Sequence, residues 1–216
     1  MNHDIFFDEA EHIYLVDGQE VPSVTEILKP LHRSYSSINP SVLEYARNRG
    51  SAVHEALEMY DLGGDFEVTP ETAPYIKAYI EWAQIYKPKW VGVEQIVYNE
   101  DYNYIGTLDR IGTLNGTEFA VVDIKTSQPT KETLVSVCCQ TYAYAMAYAA
   151  MQNKPAKFVE QTHRYGLFLK ADGTYRFQDC EEYEEKYGFS GGLVFFDLNA
   201  THGMITRILE TKARKK

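Results

Sequence analysis

The chain has 216 residues, 44% of them hydrophobic and 24% charged, with a net charge of −10 at pH 7. That length suits one good-sized folded domain with its own core, and the acidic balance excludes a protein that coats nucleic acid through a basic surface. No apolar run approaches the roughly 18 residues of a membrane span, and MNHDIFFDEA lacks the basic-then-apolar order of a signal peptide, so no membrane partner is expected.

The three cysteines, Cys138, Cys139 and Cys180, are odd in number and two are adjacent. They build neither a disulfide framework nor a four-cysteine metal site, and a reducing, cytoplasmic setting is the default expectation. The charge is uneven: Lys212, Arg214, Lys215 and Lys216 form a basic tail at 211–216, and without those four charges residues 1–211 carry −14 rather than −10.

Residues 5–21 alternate in a way that predicts a small hairpin with Asp17-Gly18 as its turn. Ser23 and Glu26 have capping-box spacing and open a short helix, Val24 to Leu28. Asn39-Pro40 opens the next helix, to about Tyr60. Leu43, Ala46, Gly50, Val53 and Leu57 mark its buried face; Gly50 signals either a break or close approach of another backbone. Thr69-Pro70 starts a helix with Ile76, Tyr79, Ile80 and Ala83 on its inner face, stopped by Lys87-Pro88.

From Trp90 the period changes to two. Trp90–Tyr98, Tyr104–Leu114 and Thr117–Thr126 read as three strands, the last two joined by an Asn115-Gly116 type I′ turn. Thr130 to Met151 reads as a helix with Leu134, Val137, Cys138, Thr141 and Ala145 inward, then Phe158–Lys170 and Tyr175–Phe177 as strands around Asp172-Gly173. The acidic run Asp179–Glu185 begins a last helical region anchored by Leu193, Phe196 and Leu198, continued by Ile205, Ile208 and Leu209. The fold class is α/β (α+β), with residues 1–38 elaborating a single domain over 1–216.

The chemistry gathers on Gly106 to Lys125. Asp109 interrupts a strand that otherwise favours β-branched and aromatic residues, and Asp123 closes the apolar run Phe119–Val122, where an unpaired charge is costly. Two such carboxylates suit a hard cation, Mg²⁺ or Mn²⁺, with the Ile124 backbone carbonyl as a further ligand. Lys125 shares a sheet face with Asp123 and would orient a metal-bound water or stabilise charge building on a phosphate. The bland alternative is a solvated Asp–Lys pair at a strand end. Arg47, Arg49 and Arg110 are candidates for phosphate contact through bidentate guanidinium bonds, with surface ion pairing as the alternative.

GTLDRIG followed by VVDIKTS resembles the PD-(D/E)XK nuclease superfamily, in particular its RecB-like, phage-type exonuclease branch. The resemblance extends to Arg49-Gly50-Ser51-Ala52-Val53-His54 upstream and to Gln140-x-x-x-Tyr144 downstream. It implies a restriction-endonuclease-like αβββαβ core, a central mixed sheet flanked by helices. It further implies that Asp109 and Asp123 are metal carboxylates, His54 an added metal ligand and Lys125 the catalytic lysine. Gln140 and Tyr144 would brace the site or touch the nucleic-acid backbone, and Glu94 would support it. Leu108 stands where the name of the motif has a proline, and the cysteine count leaves no iron–sulfur cluster expected. The expected activity is Mg²⁺- or Mn²⁺-dependent hydrolysis of DNA, as an exonuclease acting on linear ends in phage or bacterial recombination or repair. A recombination or single-strand-binding protein would be its partner, and the oligomeric state is open. A structure-selective endonuclease and a retired binding module are the alternatives.

Overall fold

The computed structural model describes residues 3–8, 13–32 and 39–213, with side chains as far as Arg207. Three short strands, β1 (Ile5–Asp8), β2 (Ile13–Val16) and β3 (Gln19–Val21), form an antiparallel meander rather than one hairpin. The expected turn lies between β2 and β3, with Asp17 at φ 52° and Gly18 at φ 76°. Helix α1 (Val24–Ile27) is capped by Ser23, whose side chain accepts from the Glu26 N–H at 3.0 Å, and a 3₁₀ turn at Lys29–Leu31 follows.

Helix α2 (Pro40–Asp61) is continuous through Gly50, so the glycine marks no break; the nearest neighbour of a Cβ there would be a side-chain atom, Thr126 Oγ1 at 3.4 Å, rather than another backbone. Helix α3 (Ala73–Tyr86) begins three residues later than Thr69-Pro70 suggested. The two threonines bond one another (Thr69 N–H to Thr72 Oγ1, 3.0 Å) in a separate turn, and Pro74 occupies the first turn of the helix. Lys87 ends it in the left-handed conformation.

The main sheet runs β4 (Lys89–Asn99), β5 (Tyr104–Leu114), β6 (Glu118–Lys125), β7 (His163–Leu169), β8 (Tyr175–Asp179), in that spatial order. All neighbours are antiparallel except β6 and β7, which are parallel and joined through α4 (Lys131–Met151) and α5 (Ala156–Gln161). Asn115 (φ 49°) and Gly116 (φ 83°) make the β5–β6 turn as the dipeptide requires. This mixed sheet between helices has the restriction-endonuclease-like architecture. The N-terminal meander packs on it through Tyr14, Val16 and Val21, which are buried against Tyr98 and Ile105.

Two sequence expectations fail here. Phe158–Lys170 is not one strand: its first four residues lie in α5, where Phe158 packs edge-on to Phe119 and stacks on Tyr148. Short apolar runs carry no decisive period, and Pro155 at the helix cap was the stronger signal. In the final region, α6 (Cys180–Tyr187) is capped by Asp179 and ended by Gly188, and α7 (Gly191–Ala213) follows. Phe195 is its fully buried anchor, while Leu193 (69%) and Ile205 (53%) are exposed. Phe196 and Leu198 pack on the core as expected, and the side chains of Ile208, Leu209 and the basic tail lie outside the described residues.

Candidate metal centre

β5 and β6 pair through Arg110↔Val122, and the segment beyond that pairing carries the chemistry. Asp109, on β5, is buried; its Oδ2 accepts from the Ile124 N–H at 2.6 Å, which ties the two strands together at the site. Asp123 is buried beneath Lys125, whose ammonium lies 2.9 Å from Oδ1 and 2.7 Å from Oδ2. Lys125 Nζ also donates to Gln140 Oε1 (3.2 Å), and Gln140 Nε2 donates to the Tyr144 hydroxyl (3.0 Å). Gln140 and Tyr144 sit one turn apart on α4 and so share a face. Gly106 is what lets that face come close, since a Cβ there would lie 2.9 Å from the Tyr144 ring.

From the other side α2 delivers His54. Its Nε2 donates to the Ile124 carbonyl at 3.1 Å, and its Nδ1 lies 3.1 Å from Glu94 Oε1. Glu94 stands in the middle of β4 with φ 43°, a left-handed conformation that costs a non-glycine residue about 1–3 kcal/mol and is held only where surrounding contacts impose it. One ligand atom each from His54, Glu94 and Asp109 lie within 4.8 Å of one another. Two carboxylates and an imidazole at that separation fit a hard divalent cation.

The electrostatics agree with that fit. Burial pushes Asp109 up to about 7, against the opposing charges of His54 and Lys125, with Asp123 and Glu94 adding to the rise. Burial also raises Asp123, although Lys125 opposes it. For His54 burial lowers the pKa, but Asp109 and Glu94 outweigh it and the result is raised. For Glu94 burial raises the pKa, and His54 and Arg110 more than offset it. Crowded carboxylates that resist ionisation together are what a cation in their midst would relieve.

A cleft of about 920 Å³ opens onto these groups. It is walled by Phe7 and Tyr14 of the N-terminal meander on one side and by Arg47, Ser51 and Glu55 of α2 on the other. Thr126 and Ser127, which follow β6, also line it.

The sequence-predicted residues are therefore mostly gathered, with differences. Glu94, expected to support the site from behind, stands among the closest donors, whereas Asp123 is engaged by Lys125 and lies outside that trio. Arg47 is exposed in the cleft. Arg49 instead packs against Tyr45 and Tyr75, its guanidinium carbon 5.9 and 5.1 Å from their ring centroids. Arg110 corrects the phosphate expectation outright: it is fully buried and donates to Asp61 Oδ2 (2.6 Å), Glu94 Oε1 (2.9 Å) and the Asp109 carbonyl (2.7 Å). A guanidinium committed to two carboxylates and a carbonyl is not offered to a substrate.

Sequence reasoning missed Asp61 and the Tyr14–Thr107 pair, whose oxygens are 2.9 Å apart at the edge of the cleft. Asp61 had a signal: seven residues after His54, it returns to the same helical face. Tyr14 had none, because nothing in a four-residue strand says which sheet it packs on.

A mixed sheet with an Asp-x-Lys strand end, backed by a helix bearing Gln140 and Tyr144, defines a nuclease core of the restriction-endonuclease type. The sequence profile of the PD-(D/E)XK nuclease superfamily matches residues 68–188, more than half of the chain, and the protein belongs to that superfamily. The match takes in Glu94, Asp109, Asp123, Lys125, Gln140 and Tyr144, while His54 and Asp61 precede it. No curated protein matches the sequence. Members of the superfamily are nucleases that use divalent metals, so a nucleic acid is the substrate class.

Proposed function

We propose that the protein is a Mg²⁺- or Mn²⁺-dependent deoxyribonuclease that degrades linear DNA from its ends. The observation that carries the metal-dependent nuclease part of this reading is the convergence of His54, Glu94 and Asp109 donor atoms within 4.8 Å, beside a lysine on the neighbouring strand end. A divalent ion held there would supply Lewis-acid charge to a phosphodiester and a nucleophile at neutral pH.

The chain's own residues have separable roles in this reading. Asp109 and Glu94 would hold the ion as carboxylates and His54 as a neutral imidazole, with the Ile124 carbonyl, 3.1 Å from His54 Nε2, as a further candidate ligand. Asp123 fixes the Lys125 ammonium and would be a further carboxylate for the ion. Lys125 balances charge on the attacked phosphate, Gln140 orients Lys125, and Tyr144 supports Gln140. Arg47 contacts the phosphate backbone from the cleft wall.

The preference for ends and for DNA, and a place in phage or bacterial recombination or repair, rest on the likeness of the His54 helix and the Gln140–Tyr144 helix to the RecB-like branch. A cytoplasmic setting and a recombination or single-strand-binding partner belong to the same proposal. The test is incubation of linear duplex, linear single-stranded and covalently closed circular DNA with Mg²⁺, Mn²⁺ or EDTA. Linear DNA should be consumed in either metal and spared in EDTA. Cutting of the closed circle at a comparable rate would make the enzyme an endonuclease instead.

A further inference from the structure

Arg110 is too buried to meet a substrate, yet its side chain reaches the site from behind. It pairs in register with Val122, so it lies on the sheet face that packs against α2 and α3. Its Nε is tethered by Asp61 at the last residue of α2, and Asp61 Oδ2 is in turn held by the Tyr79 hydroxyl of α3 at 2.6 Å. Its Nη1 then spans to Glu94 Oε1 and to the Asp109 carbonyl, touching both strands that carry carboxylates of the proposed metal centre.

Fold stability is a poor explanation for this arrangement. A buried ion pair is commonly no better than apolar residues of the same volume, because both charges lose their hydration. A carboxylate at the last residue of a helix also faces the negative end of the helix dipole. What the pair does achieve is specific. Glu94 Oε1 is shared between Arg110 and His54 Nδ1, whereas Oε2 has no hydrogen-bond partner among the described residues. The same grip falls on the residue whose backbone is left-handed in mid-strand.

We propose that Asp61 and Arg110 are positioning residues for metal binding: tethered by Asp61 and Tyr79, the Arg110 guanidinium fixes Glu94 by one oxygen and leaves the other for the ion. This rests on the metal-centre reading above and adds to it two residues that touch neither ion nor substrate. Arg110 acts through Glu94, so its effect depends on the Glu94 carboxylate.

The test measures Mn²⁺ binding by calorimetry on the full chain, with circular dichroism as a check on folding, for wild type, Arg110→Met, Arg110→Lys, Asp61→Asn, Glu94→Gln and the double variant Arg110→Lys with Glu94→Gln. Loss of a partner behind a metal ligand commonly weakens binding about 10–100-fold. Arg110→Lys should weaken it by at least about tenfold and Asp61→Asn by less. In the Glu94→Gln background Arg110→Lys should have little further effect, since contacting residues are non-additive. Equal factors in both backgrounds, or wild-type affinity in folded Arg110→Lys and Asp61→Asn, would overturn the proposal while leaving the metal centre intact. If Arg110→Met unfolds, Asp61→Asn, which keeps the guanidinium, decides. Wild type that binds no Mn²⁺ would instead remove the nuclease reading, and this proposal with it.

Discussion

Asp109 and His54 are each held in the proton-bearing direction, Asp109 up to about 7 by burial and His54 raised by Asp109 and Glu94 despite its burial. At the proposed site a metal would take the carboxylate and the neutral imidazole, so both groups would release protons on binding. Mn²⁺ affinity should therefore rise with pH through about 7, by roughly tenfold or more between pH 6 and pH 8, as calorimetry would read. The sign for folding without metal is opposite. Asp109 binds its proton more tightly folded than unfolded, so its contribution is largest at low pH and is lost as pH rises from 3.8 towards 7. His54 acts in the same direction, stabilising below its unfolded value and fading as pH rises through its folded one. Thermal melts with and without Mn²⁺ across that range should diverge, the metal-loaded protein gaining as the metal-free one loses. Tyr144→Phe tests a finer contact. It removes the hydroxyl that accepts from Gln140, and with a typical net worth of about 1 kcal/mol the rate should fall about fivefold without loss of fold.

At the scale of elements, strands were more legible than helix faces. The Asn115-Gly116 turn requires two residues at positive φ, and both adopt it, so β5 and β6 were set by local chemistry. The N-caps at Ser23, Asn39 and Thr130 are likewise satisfied by their own side chains. What local chemistry does not carry is which side of a long helix meets the core. Leu193 was the wrong anchor and Phe195 the right one, because α7 packs on α4 through a face that its own apolar pattern leaves undetermined. Phe195→Ala should cost about 3–5 kcal/mol and lower the melting temperature by about 10 °C, whereas Leu193→Ala should stay within about 0.5 kcal/mol. The candidate site divides in the same way. Asp109, Asp123 and Lys125 stood out because charge in a buried strand is anomalous. The place of Glu94 in the donor trio with His54 and Asp109 was not legible, since it depends on a left-handed residue inside a strand. Nor was the burial of Arg110 by Asp61, a contact across 49 positions.

The whole molecule is acidic, with 31 Asp and Glu against 21 Lys and Arg. Among the described residues no helix is long and apolar enough to cross a membrane. Among the described residues lining the cleft, Arg47 and Lys125 are the arginine and lysine side chains. If the substrate is DNA, as proposed, about two phosphate contacts would give a shallow dependence of affinity on salt, a logarithmic slope of magnitude about 2 rather than the steep slopes of basic DNA-binding proteins. Fluorescence anisotropy of a labelled oligonucleotide between 50 and 200 mM salt would read it, on the order of tenfold or a little more in affinity. Attraction to DNA would then come chiefly through the bound cation, and EDTA should weaken binding as well as cutting.

The most direct measurement is degradation of linear DNA in Mg²⁺ and in Mn²⁺ by wild type and by Lys125→Ala prepared identically. Wild type should consume the substrate and Lys125→Ala should be slower by about 10²-fold or more, the scale of losing a single charge-stabilising group. DNA left whole by wild type in both metals, or degraded equally by the two proteins, would contradict the assignment of this site as a nuclease centre.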